Sequence, residues 1–210
     1  MKDLQSIKDK ILLAMIPDVS TKGWSWEAAQ GASLAEGFQD GMCKAVFPEG
    51  LSDVVTHFSD LVDREMMKQL DIMDTTNMRV RERIQTAILT RFDVLESMGA
   101  RSATKTAMSF WAFPTRVLQG QRVLWRSADR IWKWAGDTAQ DYNRYTKRGL
   151  LSSLMMGTTL VWLDDRSDDK QVTKAFLERR IENIMEIGRA IGTIGQKMPD
   201  MATKAWTRNS

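Results

Sequence analysis

The chain has 210 residues, 30 Lys and Arg against 27 Asp and Glu, one histidine and one cysteine. A single cysteine cannot close an intrachain disulfide, which excludes a disulfide-stapled secreted fold and points to a reducing compartment. One His with one Cys also excludes a zinc finger, a two-histidine zinc protease and a paired Glu-x-x-His di-iron centre. The formal charge of +3 conceals a gradient: residues 1–78 hold 7 basic and 13 acidic side chains, 79–148 hold 14 and 6, and 149–210 hold 9 and 8. The sequence contains neither a Gly-x-x-x-x-Gly-Lys-Ser/Thr phosphate loop nor a Gly-x-Gly-x-x-Gly fingerprint. The longest uncharged run, Gly149–Leu163, has 15 residues, short of the roughly 20 needed to span a bilayer. With Asp3 and Asp9 in its first turns, the N-terminus reads as neither a signal nor a transit peptide.

No alternating period-two run of useful length occurs, so helices are expected throughout. The first spans about Asp3–Ile16, ended by Pro17 and Asp18. A second covers about Trp26–Glu36 before Gly37, and a short third about Met42–Val46. A long helix follows over about Leu51–Met73, with Val54, Val55, Phe58, Leu61, Val62, Met66 and Leu70 inward. Further helices are expected at about Arg79–Met98, Ala103–Ala112 and Val117–Ala135, the last the most regular, with Val117, Leu118, Gln121, Leu124, Trp125, Ala128, Ile131, Trp132 and Ala135 on one stripe. Asp137 and Gln140 have the spacing of a capping box, opening a helix that reaches about Leu163 and turns apolar on nearly all sides after Arg148, which predicts burial all round or partly in a subunit interface. Asp164–Asp169 reads as a solvated polar turn, and a last clear helix covers about Gln171–Ile191. The fold class is all-α: about ten helices, with a three-helix head over 1–48, a helical body over 49–192 and a weakly patterned tail over 193–210.

Three short, closely spaced helices at the head have the arrangement of a helix-turn-helix. Its charge opposes DNA binding. Residues 23–58 carry one cation, Lys44, against Glu27, Glu36, Asp40, Glu49 and Asp53, whereas phosphate neutralisation needs a positive surface. His57 lies among Val54, Val55 and Phe58 with no nucleophile placed beside it, so neither a His/Cys catalytic pair nor an enzyme is expected. The aspartates at 164, 165, 168 and 169 lack the Gly and terminal Glu of an EF-hand loop, and no metal site is expected. Trp111, Trp125, Trp132 and Trp162, with Met108, Phe113, Met155 and Met156, are large, adaptable side chains suited to an irregular apolar chamber; plain core is the alternative for each. In the basic middle, Arg79, Arg81 and Arg83 cluster with Glu82. Arg122, Arg126, Arg130 and Lys133 share one helix face, and Arg144, Lys147 and Arg148 sit on the next helix. Such a face is either solvated or meets anionic head groups or an acidic partner.

The string Ala135-Gly136-Asp137-Thr138, followed by Asp141-Tyr142-Asn143-Arg144-Tyr145-Thr146-Lys147-Arg148 and Trp162-Leu163-Asp164-Asp165, resembles the Coq-nine family of coenzyme Q (ubiquinone) biosynthesis proteins. Its pattern there is Ala-Gly-Asp, then Asp-x-Asn-Trp-Tyr-Thr-Lys-Arg. Gly23–Trp26, Phe47–Gly50, Val80–Ile84 and Phe176–Ile181 match in the same order. The resemblance implies the fold of TetR-type regulators and a homodimer, with 49–192 as the lipid-binding and dimerisation domain. It implies no enzymatic activity and no resident cofactor, but a bound isoprenoid lipid or quinone intermediate, presented from a membrane surface to a di-iron hydroxylase of ubiquinone synthesis. On that basis the expected lipid-binding residues are Met108, Trp111, Phe113, Leu118, Trp125, Met155 and Leu160. The expected partner face is Asp141, Arg144 and Tyr145 with Arg122, Arg126 and Arg130. Arg144 stands where the family has a tryptophan. The tail offers Met198, Met201, Ala202 and Trp206 among Lys197, Lys204 and Arg208 as a short amphipathic piece. The expected location is the cytoplasm of a bacterium, extending to peripheral attachment on the inner face of its inner membrane. The competing expectation is a TetR-type, ligand-responsive regulator that binds DNA.

Overall fold

A computed structural model describes residues 2–137 and 142–183, all of whose regular structure is helical. The elements are α1 (Lys2–Lys22), α2 (Trp26–Ala35), α3 (Met42–Val46), α4 (Leu51–Leu70), α5 (Val80–Ser97), α6 (Arg101–Trp111), α7 (Val117–Trp134), α8 (Tyr142–Asp164) and α9 (171–183), with one 3-10 turn at Asp168–Lys170. The expected Asp137–Gln140 cap, Asp141, the end of the last helix and the tail residues lie outside the described residues.

Most boundaries fall where caps place them. The Ser25 hydroxyl accepts from the Ala28 N–H at the start of α2, and Gly37 takes a left-handed φ of 79° just past its end. At α5 the Glu82 carboxylate reaches back to the Arg79 N–H at 2.8 Å. Two expectations are corrected. Helix α1 runs through Pro17 to Lys22. Pro17 is on the exposed side, and the turn beyond it is held by fully buried Val19 and by an Asp18–Lys22 ion pair at 2.7 Å; burial outweighs the lost backbone bond. The turn after α8 is not wholly solvated. Asp165 is buried and accepts from the N–H and hydroxyl of both Ser167 and Thr173. Burial alone would raise its pKa, but these four hydrogen bonds hold it far below the usual carboxylate range. Asp165 thus caps α9 instead of binding a cation, and no group of His, Cys, Asp or Glu among the described residues could hold a metal ion.

Head and body share one continuous core that extends from Ile11 to Ile181. Helix α1 packs on α2, α3, α4 and α6, while α7 packs on α4, α5, α6 and α8. The Trp24 indole of the head donates to the Ala103 carbonyl on α6 at 3.0 Å. Helix α8 is not buried all round: Met156 and Leu160 are exposed on one side of it. None of the described helices is long and apolar enough to cross a membrane.

Behind this core runs a chain of ion pairs linking α1, α4, α5 and α7. Asp9 takes His57 Nε2–H at 2.7 Å and Arg64 at 2.6 Å. Asp60 takes Arg64 at 3.0 Å and Arg130 at 2.7 Å. Asp63 takes Arg130 and Arg91, each at 3.2 Å, and the Ser127 hydroxyl at 2.6 Å. His57 is therefore a member of a structural network. Burial pushes its pKa below the ordinary 6.5 against the pull of Asp9, so the fold favours the neutral ring. In that case the unfolded chain binds the extra proton first, and stability falls as pH drops through 6.5 toward the folded value. Thermal melting between pH 7.5 and 5.5 should show this decline in the wild type, and His57→Gln should flatten it.

Candidate apolar binding cavity

Helices α4 to α8 line a half-open cavity of about 510 Å³. Helix α4 contributes Val55, Phe58 and Ser59, and α5 contributes Arg91. Thr104, Ala107, Met108 and Trp111 come from α6, Val117, Gly120, Val123 and Leu124 from α7, and Met156 and Thr159 from α8. The spacing of 104, 107, 108 and 111 on α6 and of 117, 120, 121 and 124 on α7 turns one helical stripe of each into the wall. The two stripes meet at Gly120. A Cβ there would lie 2.7 Å from the Trp111 Cβ, so only glycine lets α7 approach the indole this closely. Trp111 is also held edge-on to Phe110 at 4.8 Å, and the Arg116 guanidinium covers Phe110 at 4.1 Å.

Of the residues expected to contact lipid, Met108 and Trp111 line this cavity. Met155 is packed in the core. Trp125 is half-buried beside Tyr145, ring centroids 6.1 Å apart. Phe113 and Leu118 are 61% and 67% exposed on either side of the wall residue Val117, and Leu160 is 54% exposed on α8. Reading the sequence alone missed Arg91, Thr104, Ala107 and Thr159, because a short or polar residue gives no apolar signal. Met156 was available from the chamber set and Leu124 from the regular α7 stripe.

The expected partner face separates into two parts. Arg144 and Tyr145 are exposed at the start of α8, where Arg144 lies 3.7 Å from Asp129. Arg122 is exposed and Arg126 half-buried on α7, the latter with Nε and Nη2 buried and lacking a hydrogen-bond partner. Arg130 points away from this face, onto Asp60 and Asp63 of α4. Beneath Arg144 and Tyr145, Arg148 is 2% exposed and joins Asp129 to Asp137, and Lys147 also reaches Asp137 at 2.7 Å. The Ala-Gly-Asp and Tyr-Thr-Lys-Arg strings are thus two sides of one clamp between the end of α7 and α8. Burial would raise the Asp129 pKa, but hydrogen bonds from Lys133 and Arg148 lower it below the carboxylate range. In the Arg79–Arg83 cluster, Arg83 is turned inward onto the carbonyls of Thr75 and Met78, at 3.0 and 3.1 Å.

This architecture, an α-helical head continuous with a helical body built around an apolar cavity, is the TetR-regulator fold. A TetR transcriptional regulator from Nitrosomonas europaea superposes with a TM-score of 0.67, covering 86% of this chain and 98% of the regulator at 17% identity, which establishes the fold. The COQ9 family model matches residues 117–188, from α7 to beyond α8. The mitochondrial ubiquinone biosynthesis proteins COQ9 of Xenopus tropicalis and Homo sapiens are each 27% identical over 199 residues, covering 89% and 88% of this chain; that of Bos taurus is 28% identical over 195 residues, covering 88%. Both findings bear out the resemblance to the COQ9 family. The chain spans about 60% of the length of these relatives.

Proposed function

We propose that the chain is a non-catalytic accessory protein of ubiquinone biosynthesis that binds a polyprenyl quinone intermediate, or a similar isoprenoid lipid, and presents it to a hydroxylase. The observation that carries this reading is the apolar cavity between α4 and α8, walled in part by the segment that the COQ9 family model matches. Its volume is in the range that takes a drug-sized head with the first part of a tail. Tyr145 and Arg144, exposed over the α7–α8 clamp, are the partner contacts, with Arg122 and Arg126 beside them. Phe113 and Leu118, flanking the cavity wall, meet an isoprenoid tail or a membrane surface. The exposed stripe of Met156 and Leu160 on α8 pairs two copies into a homodimer. The head is a retained scaffold: Lys44, the one cation of α3, donates to the Pro48 carbonyl at 2.9 Å and lies over the Trp26 ring, leaving no cation of that helix for a phosphate. A DNA-binding regulator would instead bind its operator with affinity falling steeply in salt.

Ala107→Trp tests the cavity. Ala107 is buried on α6 and faces the space, so an indole there occupies the volume that a ligand would fill. Titration with a benzoquinone bearing a two-isoprene tail, followed by tryptophan fluorescence, should show saturable binding to the wild type and at least a tenfold loss in the variant. Equal affinities would overturn the assignment of the cavity.

A further inference from the structure

We infer that Arg91 is the polar anchor of the cavity and selects a neutral head rich in hydrogen-bond acceptors, such as a quinone or an alkoxyphenol, over a carboxylate or a phosphate. This rests on the cavity being the lipid site. Arg91 is the one charged residue among those lining the space, and its side chain is only 13% exposed. Its Nε–H is committed to Asp63. The Nη groups have no hydrogen-bond partner among the described residues, so donors remain for a ligand. Ser59, on the adjoining wall, likewise has a hydroxyl without a hydrogen-bond partner among the described residues. The remaining wall hydroxyls, Thr104, Ser109 and Thr159, donate back to their own helix, to the Ala100, Lys105 and Met155 carbonyls. The Gln121 amide, exposed on α7, is the other polar group of the wall, so the buried donors left for an acceptor lie at one corner, between α4 and α5. That arrangement fits one polar head and one tail.

The sign of the head follows from charge balance. Three carboxylates, Asp9, Asp60 and Asp63, alternate with three guanidinium groups, Arg64, Arg91 and Arg130, along the chain of pairs, and His57 at its end is held neutral by burial. The chain is balanced before any ligand arrives. A carboxylate or phosphate head would add an uncompensated charge to an apolar space, which is costly. A carbonyl or ether oxygen accepts the same Nη–H bonds without that charge, and a hydrogen bond from an ionised donor is the strong kind.

The test uses three probes with one two-isoprene tail: a 1,4-benzoquinone, a carboxylic acid and a plain hydrocarbon. Binding is read by calorimetry on the wild type, Arg91→Met, Arg91→Lys and Ser59→Ala. The wild type should prefer the quinone over the hydrocarbon by roughly tenfold or more, with the acid no tighter than the hydrocarbon. Arg91→Met should remove the quinone preference while leaving hydrocarbon affinity unchanged, and Arg91→Lys, which keeps the pair with Asp63 but loses the planar donors, should reduce it severalfold. Ser59→Ala serves if Arg91→Met does not fold, with a twofold to fivefold loss for the quinone alone. If the wild type binds none of the probes, the cavity assignment itself fails. If it binds all three equally, or the acid most tightly, the cavity stands and the anchor or its charge selection is overturned.

Discussion

Asp63→Ala is expected to lower the unfolding free energy by about 3–5 kcal/mol, read as a fall in the urea midpoint at unchanged slope. Asp63 is completely buried on α4 and accepts from Arg91, Arg130 and Ser127 on two other helices. Removing the carboxylate leaves two guanidinium groups facing each other across an apolar interior. Arg130 keeps Asp60, but Arg91 keeps no carboxylate among the described residues. The contrast is Asp18→Ala. The Asp18–Lys22 pair is as short, 2.7 Å, but both side chains are more than half exposed, and such pairs are worth about 1 kcal/mol or less. Equal small effects for the two variants would show that the Asp63 network is not a structural centre.

The second large effect is expected for Arg148→Met, with a loss of about 3 kcal/mol. The guanidinium links Asp129 of α7 to Asp137 beyond its end and also donates to the Arg144 carbonyl at 3.2 Å. Asp129 retains Lys133 and Asp137 retains Lys147, so the loss stays below that of Asp63→Ala. Lys147→Met should lose less again, because that ammonium is 36% exposed. The order Asp63→Ala, Arg148→Met, Lys147→Met in urea denaturation is the check. Reversal of the last two would contradict the clamp.

How much of this was legible in the sequence varies with the range of the interaction. Helices α2, α3, α5 and α7 start and stop within a few residues of where periodicity and caps place them, because those signals are local. Pro17 misled because a local breaker was overridden by Val19, whose burial depends on the rest of the core. On α7, spacing put Leu118 and Trp125 on one stripe, yet Leu118 is exposed and Trp125 half-buried. Spacing assigns a residue to a side of a helix, not to a neighbour that reaches it. The Ala-Gly-Asp and Tyr-Thr-Lys-Arg strings were conspicuous, and the structure supplies the reason: their charged members pair across ten or eleven residues. Arg91 and Asp63 are 28 residues apart, and Asp9 and Arg64 are 55 apart. No short-range pattern joins such pairs, so the basic middle read as a surface feature while Arg91 and Arg130, like Arg148, are tied into the interior. The acidic excess of residues 1–78 is explained in part the same way: Asp60 and Asp63 are counterions of Arg91 and Arg130, and Asp9 is the counterion of Arg64.

The central claim is that this cavity holds a neutral, isoprenoid-tailed ligand. The most direct measurement is mass spectrometry of the solvent extract from the full chain, purified without detergent from ubiquinone-producing cells, beside an identical preparation of Ala107→Trp. A polyprenyl benzoquinone or phenol near one per chain in the wild type, and absent or reduced at least tenfold in the variant, is the predicted result. No such lipid in the wild type, or the same amount in both, would contradict the account.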